Sequence, residues 1–85
     1  MGERRVTVAS PVGLHARPAA LFVRAVGKSG AEVTIRKPDG EPVDAGSILA
    51  VLTLNVAHGD EVMLSTEDGA DATLDELVEL LRHAD

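Results

Sequence analysis

The chain has no cysteine, no tryptophan and no tyrosine, and Phe22 is its single aromatic residue. Without cysteine there is neither a disulfide framework nor a thiolate metal site, so stability must come from packing, and a reducing cytoplasm is the natural setting. Without exposed aromatics there is no stacking surface for single-stranded nucleic acid, and a net charge of −6 repels phosphate backbones. Nucleic acid is therefore not expected as a partner. Long apolar runs are missing too: Ile48 to Val56 is interrupted by Thr53 and Asn55 and falls far short of the roughly 20 residues that span a bilayer. The start, Met1-Gly2-Glu3-Arg4-Arg5, leads into no apolar stretch, and Val6 stands where a myristoylation signal needs Ser or Thr. We expect a soluble chain without membrane insertion.

What is present suits one aliphatic core. The 85 residues, 45% of them apolar, are enough for a single domain over 1–85 and hardly for two, and nothing suggests more than a monomer. Val6 and Val8 alternate with Arg5 and Thr7 as in a strand with one buried face. Ala16, Ala19, Ala20, Val23 and Val26 then recur at helical spacing, with Arg17, Arg24 and Lys28 on the other side, which predicts a helix over about 16–26 ended by Gly27 and Gly30. Val33 and Ile35 form a second strand, and Pro38-Asp39-Gly40 turns the chain back through Glu41 to a third at Val43. A short helix follows Ser47. Val62 and Leu64 mark a fourth strand ended by Glu67-Asp68-Gly69, and Thr73 and Glu76 stand in capping-box spacing before the amphipathic set Leu74, Leu77, Val78 and Leu81. The order βαββαβα predicts an α+β fold: a four-stranded antiparallel sheet, three helices on its dry face, and a wet opposite face.

Chemistry concentrates in Gly13-Leu14-His15-Ala16-Arg17-Pro18-Ala19, where the first loop becomes a helix. Proline belongs in a first helical turn and pushes its predecessor out of helical dihedrals, so the helix begins at or just before Pro18 and leaves the amides of Ala16 and Arg17 without helical acceptors. Free amides at a helix start bind anions, and the helix dipole adds positive potential that favours neutral, nucleophilic imidazole at His15. Arg17 can add a guanidinium fork to phosphoryl oxygens. No Walker loop, kinase signature or Ser-His-Asp spacing is visible, so the chain reads as a carrier rather than a catalyst. On composition alone the ordinary reading of His15, a helix cap or loop residue, prevails.

The stretch GLHARPA resembles the active-site signature of the HPr family, the histidine-containing phosphocarriers of the bacterial phosphoenolpyruvate-dependent sugar phosphotransferase system. The likeness extends over the whole chain, because Ser47-Ile48-Leu49-Ala50-Val51-Leu52-Thr53-Leu54 resembles the family's second signature. The resemblance implies an open-faced β-sandwich in which His15 accepts a phosphoryl group on Nδ1 from phosphorylated enzyme I and donates it to the A domain (EIIA) of a sugar-specific enzyme II. It further implies that Arg17 accompanies the phosphohistidine, that catalysis belongs to the complexes, and that no cofactor is needed.

By the same resemblance Ser47 aligns with a serine phosphorylated in some bacteria by a dedicated kinase, HPr kinase/phosphorylase, in carbon-catabolite regulation. Gly46, Leu49 and Ala50 depart from the residues usual there. Read from the sequence alone, Ser47 caps the second helix. Ile48, Leu49, Val51, Leu52 and Leu54 are too many for one buried side of a short helix; Val51 and Leu54 belong to the core, and Ile48, Leu49 and Leu52 are expected on the surface. In the family the matching positions dock partners, with Arg17, Arg24 and Lys28 as a basic rim for acidic ones. The alternative is a regulatory member acting through Ser47 rather than in sugar uptake. His58 and His83 show no zinc spacing, and the acidic residues from Asp60 to Glu79 read as a solvated surface.

Overall fold

A computed structural model describes residues 2–66 and 70–83, arranged as β1 (Gly2–Thr7), α1 (Ala16–Ser29), β2 (Val33–Arg36), β3 (Val43–Asp44), α2 (Ile48–Thr53), β4 (Glu61–Thr66) and α3 (Asp71–Arg82). The expected βαββαβα order is found, and the strands form one antiparallel sheet in the order β1-β4-β2-β3. Its centre is β4: Val6 opposes Val62 on one side, and Ile35 opposes Leu64 on the other. The period of two sends Val6, Val33, Ile35, Val62 and Leu64 to the buried face and leaves Glu3, Arg5, Thr7 and Thr34 exposed on the other. On that wet face Arg5 stands 3.7 Å from Glu61. A surface pair of this kind contributes about 0–1 kcal/mol, so burial on the opposite face holds the sheet.

Helices cover the dry face. Ala19, Phe22 and Val26 of α1, Val51 of α2, and Leu74, Leu77 and Leu81 of α3 join the strand residues in one core. The α1 helix packs against both α2 and α3, and α3 lies against β1. Two chain reversals therefore meet beside the α1 N-terminus: the segment between β1 and α1, and the segment between α2 and β4. No helix of the described residues is long and apolar enough to cross a membrane.

Local boundaries differ from the sequence reading in four places. The α1 helix passes Gly27 and ends at Ser29, because Ser29 Oγ bonds Val26 O at 2.7 Å and Gly30, at φ 72°, supplies the left-handed cap. Ala20 is exposed, since the buried stripe runs through Ala19, Phe22 and Val26. The first strand stops at Thr7. Val8 is buried beyond it and exchanges bonds with the 59–60 turn, its amide donating to Asp60 O and its carbonyl accepting from the Gly59 amide. Finally, α3 does not start in a Thr73–Glu76 capping box: Ala70 is the N-cap without a side-chain bond, and Asp71 supplies negative charge in the first turn. The turn expected at Glu67-Asp68-Gly69 lies outside the described residues.

Candidate functional site

His15 is the N-cap residue of α1, with extended dihedrals (φ −132°, ψ 164°). Its side chain makes no capping hydrogen bond, so the ring is not used up in ending the helix, and it is half-buried rather than enclosed in the core. Ala16 follows at φ 51°, in the left-handed region, which costs an L-residue with a Cβ about 1–2 kcal/mol. The helix opens two residues ahead of Pro18, which lies in its first turn. Among the described residues neither the Ala16 nor the Arg17 amide donates a hydrogen bond. Both residues are exposed, which leaves the amides open to an anion. The sequence carried no sign of the left-handed residue: an alanine there reads as ordinary helix. Such conformations persist only where the surroundings over-determine them.

Those surroundings are the two reversals. The Gly13 amide bonds Ser10 O at 2.9 Å and the Leu14 amide bonds Val56 O at 3.0 Å. Leu14 and Val56 are fully buried, and Ser10 is buried too. Asp60 in turn ties the second segment, accepting from the Ala57 amide at 2.9 Å and standing 3.5 Å from Lys37 Nζ. It is thus more than part of a solvated acidic surface. The Ala57 hydrogen bond above all holds the Asp60 carboxyl below its ordinary value of 3.8; desolvation opposes it, and the Lys37 cation adds to the lowering. A depressed carboxyl adds stability that is complete above the unfolded value and disappears as pH falls through the lowered folded one. Asp60→Asn is therefore expected to flatten the loss of stability below about pH 4, measured by urea denaturation across the acid range. An unchanged acid limb would contradict this.

The predicted docking residues are only partly brought together. Arg17, Arg24 and Ile48 line one shallow groove with Leu21 and Val23. Ile48 is 39% exposed and Leu49 73%. Leu52 is half-buried against the core instead, because it sits one position past the fully buried Val51 at the edge of the buried stripe. Lys28 shares the i, i+7, i+11 stripe of Arg17 and Arg24, but at about 1.5 Å per residue it stands roughly 16 Å along the helix from Arg17 and outside the groove. Sequence reasoning missed two other exposed apolar residues, Val12 and Leu80, which meet Leu21 and Arg17 around a cleft of about 270 Å³ between the first reversal and the end of α3. Only the fold unites them.

Ser47 is the N-cap of α2, and its Oγ accepts from the Ala50 amide at 3.3 Å. His58 lies exposed in the 58–59 turn, and His83 Nε2 lies 3.0 Å from Glu79 Oε1 at the end of α3. Of the three histidines, only His15 stands at a helix N-terminus.

Residues 2–83 match the family model described as the PTS HPr component phosphorylation site. The chain is 51% identical over 82 residues to the phosphocarrier protein HPr of Streptomyces coelicolor, covering 95% of this chain and 88% of that one. It is 42% identical over 67 residues to the HPr-like protein Crh of Halalkalibacterium halodurans, covering 79% of each. The crystal structure of a phosphocarrier protein HPr from Bacillus anthracis superposes with a TM-score of 0.89 at 34% identity, over 95% of this chain and 96% of that one. A helix start with an uncommitted imidazole and open amides, on this topology and with these relatives, gives one conclusion: the chain belongs to the HPr family, the histidine phosphocarriers of the phosphotransferase system.

Proposed function

We propose that His15 accepts a phosphoryl group on Nδ1 from phosphorylated enzyme I and passes it to the A domain (EIIA) of a sugar-specific enzyme II. One observation carries this reading: a half-buried ring without a capping bond adjoins the open amides of Ala16 and Arg17. The lone pair of Nδ1 forms the N–P bond as the donor's bond to phosphorus breaks, and the incoming oxygens arrive at the positive end of α1. Arg17 offers its guanidinium to the same oxygens. Partners supply the remaining positioning, so the chain works as a single-domain carrier in the cytoplasm, without a cofactor. The groove of Arg17, Arg24 and Ile48, continued by Leu49, is the docking face for acidic partner surfaces, with Lys28 as a more distant cation. Incubation with phosphoenolpyruvate and enzyme I is expected to add one phosphoryl group that mild acid removes, read as intact mass. An acid-stable product, or none, would contradict the assignment.

A second reading, regulation through phosphorylation of Ser47 by a dedicated kinase, draws on the position of that hydroxyl at the N-terminus of α2 beside exposed Ile48 and Leu49. Ser47 already serves as a cap, so Ser47→Ala is expected to cost about 1 kcal/mol in denaturation experiments whatever its regulatory use. The regulatory reading adds an acid-stable phosphate, formed with ATP and kinase and missing from Ser47→Ala. No such product would leave Ser47 as a cap alone.

A further inference from the structure

We propose that Lys37, at the end of β2, is a positioning residue for phosphoryl acceptance at His15, acting through the backbone of residues 55–57. The inference rests on the reading of His15 as the acceptor. After α2 the chain turns at Asn55, whose φ of 55° is left-handed, and enters the segment leading to β4. Lys37 Nζ donates to Asn55 O at 3.0 Å and stands 3.5 Å from Asp60 Oδ2, which itself accepts from the Ala57 amide at 2.9 Å. One lysine thus ties both ends of a short segment. Between the two tied points lies Val56, fully buried, whose carbonyl accepts from the Leu14 amide at 3.0 Å. The Gly13 backbone packs so closely on Val56 and Ala57 that there is no room for a Cβ. His15 is the next residue after Leu14.

Without the lysine, Asn55 keeps a strained dihedral but loses the donor to its carbonyl, and Asp60 loses the cation it faces. The Val56 carbonyl, the support on which Leu14 hangs, then keeps the Asp60 tie on one side and on the other only the bond from the Asn55 amide to Leu52 O at 3.1 Å. The Lys37–Asp60 pair is partly exposed, with side chains 31% and 40% accessible. Exposed ion pairs contribute little to global stability, so the fold should survive while the loop loosens. Small misplacements of a reacting group can lower rates by up to about 100-fold, and we expect about a tenfold effect from this partial release.

The test uses phosphoenolpyruvate and enzyme I, with this chain as phosphoryl acceptor in its wild-type, Lys37→Met and Lys37→Arg forms. Lys37→Met should lower kcat about tenfold at nearly unchanged KM and still reach one phosphoryl group per chain, and Lys37→Arg should recover most of the rate. In the free protein, the Leu14 amide should exchange with solvent faster in Lys37→Met while the Leu64 amide in β4 is unaffected. Wild-type rates in Lys37→Met, a raised KM at unchanged kcat, or a Leu14 amide as protected as before would each overturn the inference. Absence of label from His15 of the wild type would instead overturn the acceptor assignment on which it stands.

Discussion

His15→Ala is expected to abolish phosphoryl acceptance while changing stability by no more than about 0.5 kcal/mol. The small structural effect follows from the ring's surroundings: it is half-buried and makes no capping bond, so its loss opens no core cavity and orphans no partner. The large chemical effect follows from the absence of a substitute. His58 is exposed in a turn, and His83 is engaged with Glu79 at the C-terminal end of α3, where the helix dipole repels an incoming anion. Neither has the open amides that receive negative charge at the α1 N-terminus. Intact mass after incubation with phosphoenolpyruvate and enzyme I, together with urea denaturation, separates the two effects. Persistent labelling of a folded His15→Ala protein would contradict the account, and unfolding would show that the ring holds the loop in a way its contacts do not reveal.

Gly13→Ala should have the opposite signature, a large loss of stability. Gly13 has a φ of 67°, and a Cβ at this position would strike the Val56 carbonyl and come within 2.8 Å of Ala57 Cα. The left-handed backbone costs alanine about 1–2 kcal/mol, and forced movement of packed atoms about 1–3 more, for a total near 2–5 kcal/mol. Both obstacles are backbone, which cannot swing aside as a flexible side chain would. To relieve the contact, the two reversals must separate, and the bond from the Leu14 amide to Val56 O is the first to break. The denaturation midpoint should fall accordingly, and phosphoryl transfer should slow in the fraction that remains folded. A loss below about 1 kcal/mol would mean that the segments are less tightly joined than their contacts indicate.

The elements and the place of His15 at the start of α1 were legible in the sequence because both rest on local signals. Alternating valines, the helical spacing of Ala16, Ala19, Val23 and Val26, and the turn at Pro38-Asp39-Gly40 are short-range patterns, and Pro18 marks the helix start from two residues away. Boundaries were less legible where two signals compete. Gly27 reads as a stop, yet the cap at Gly30 prevails; Thr73 reads as a cap, yet the helix opens at Asp71. What holds the site in place was not legible at all. The support under Leu14 comes from Val56, and its tether from Lys37, so the geometry at His15 depends on three chain segments far apart in sequence. No periodicity encodes such a meeting. The same limit applies to the surface: Arg17, Arg24 and Ile48 share a groove because α1 and α2 pack together, while Lys28 and Leu52, equally plausible in a linear reading, fall outside it.

The most direct measurement is to locate the phosphoryl group atom by atom, by NMR of the imidazole nitrogens in the freshly phosphorylated, nitrogen-15-labelled protein. A phosphorus–nitrogen coupling at Nδ1 of His15, with the rings of His58 and His83 unmodified, is the predicted result. Phosphorus bonded to either of those rings, or to a hydroxyl oxygen, would contradict it.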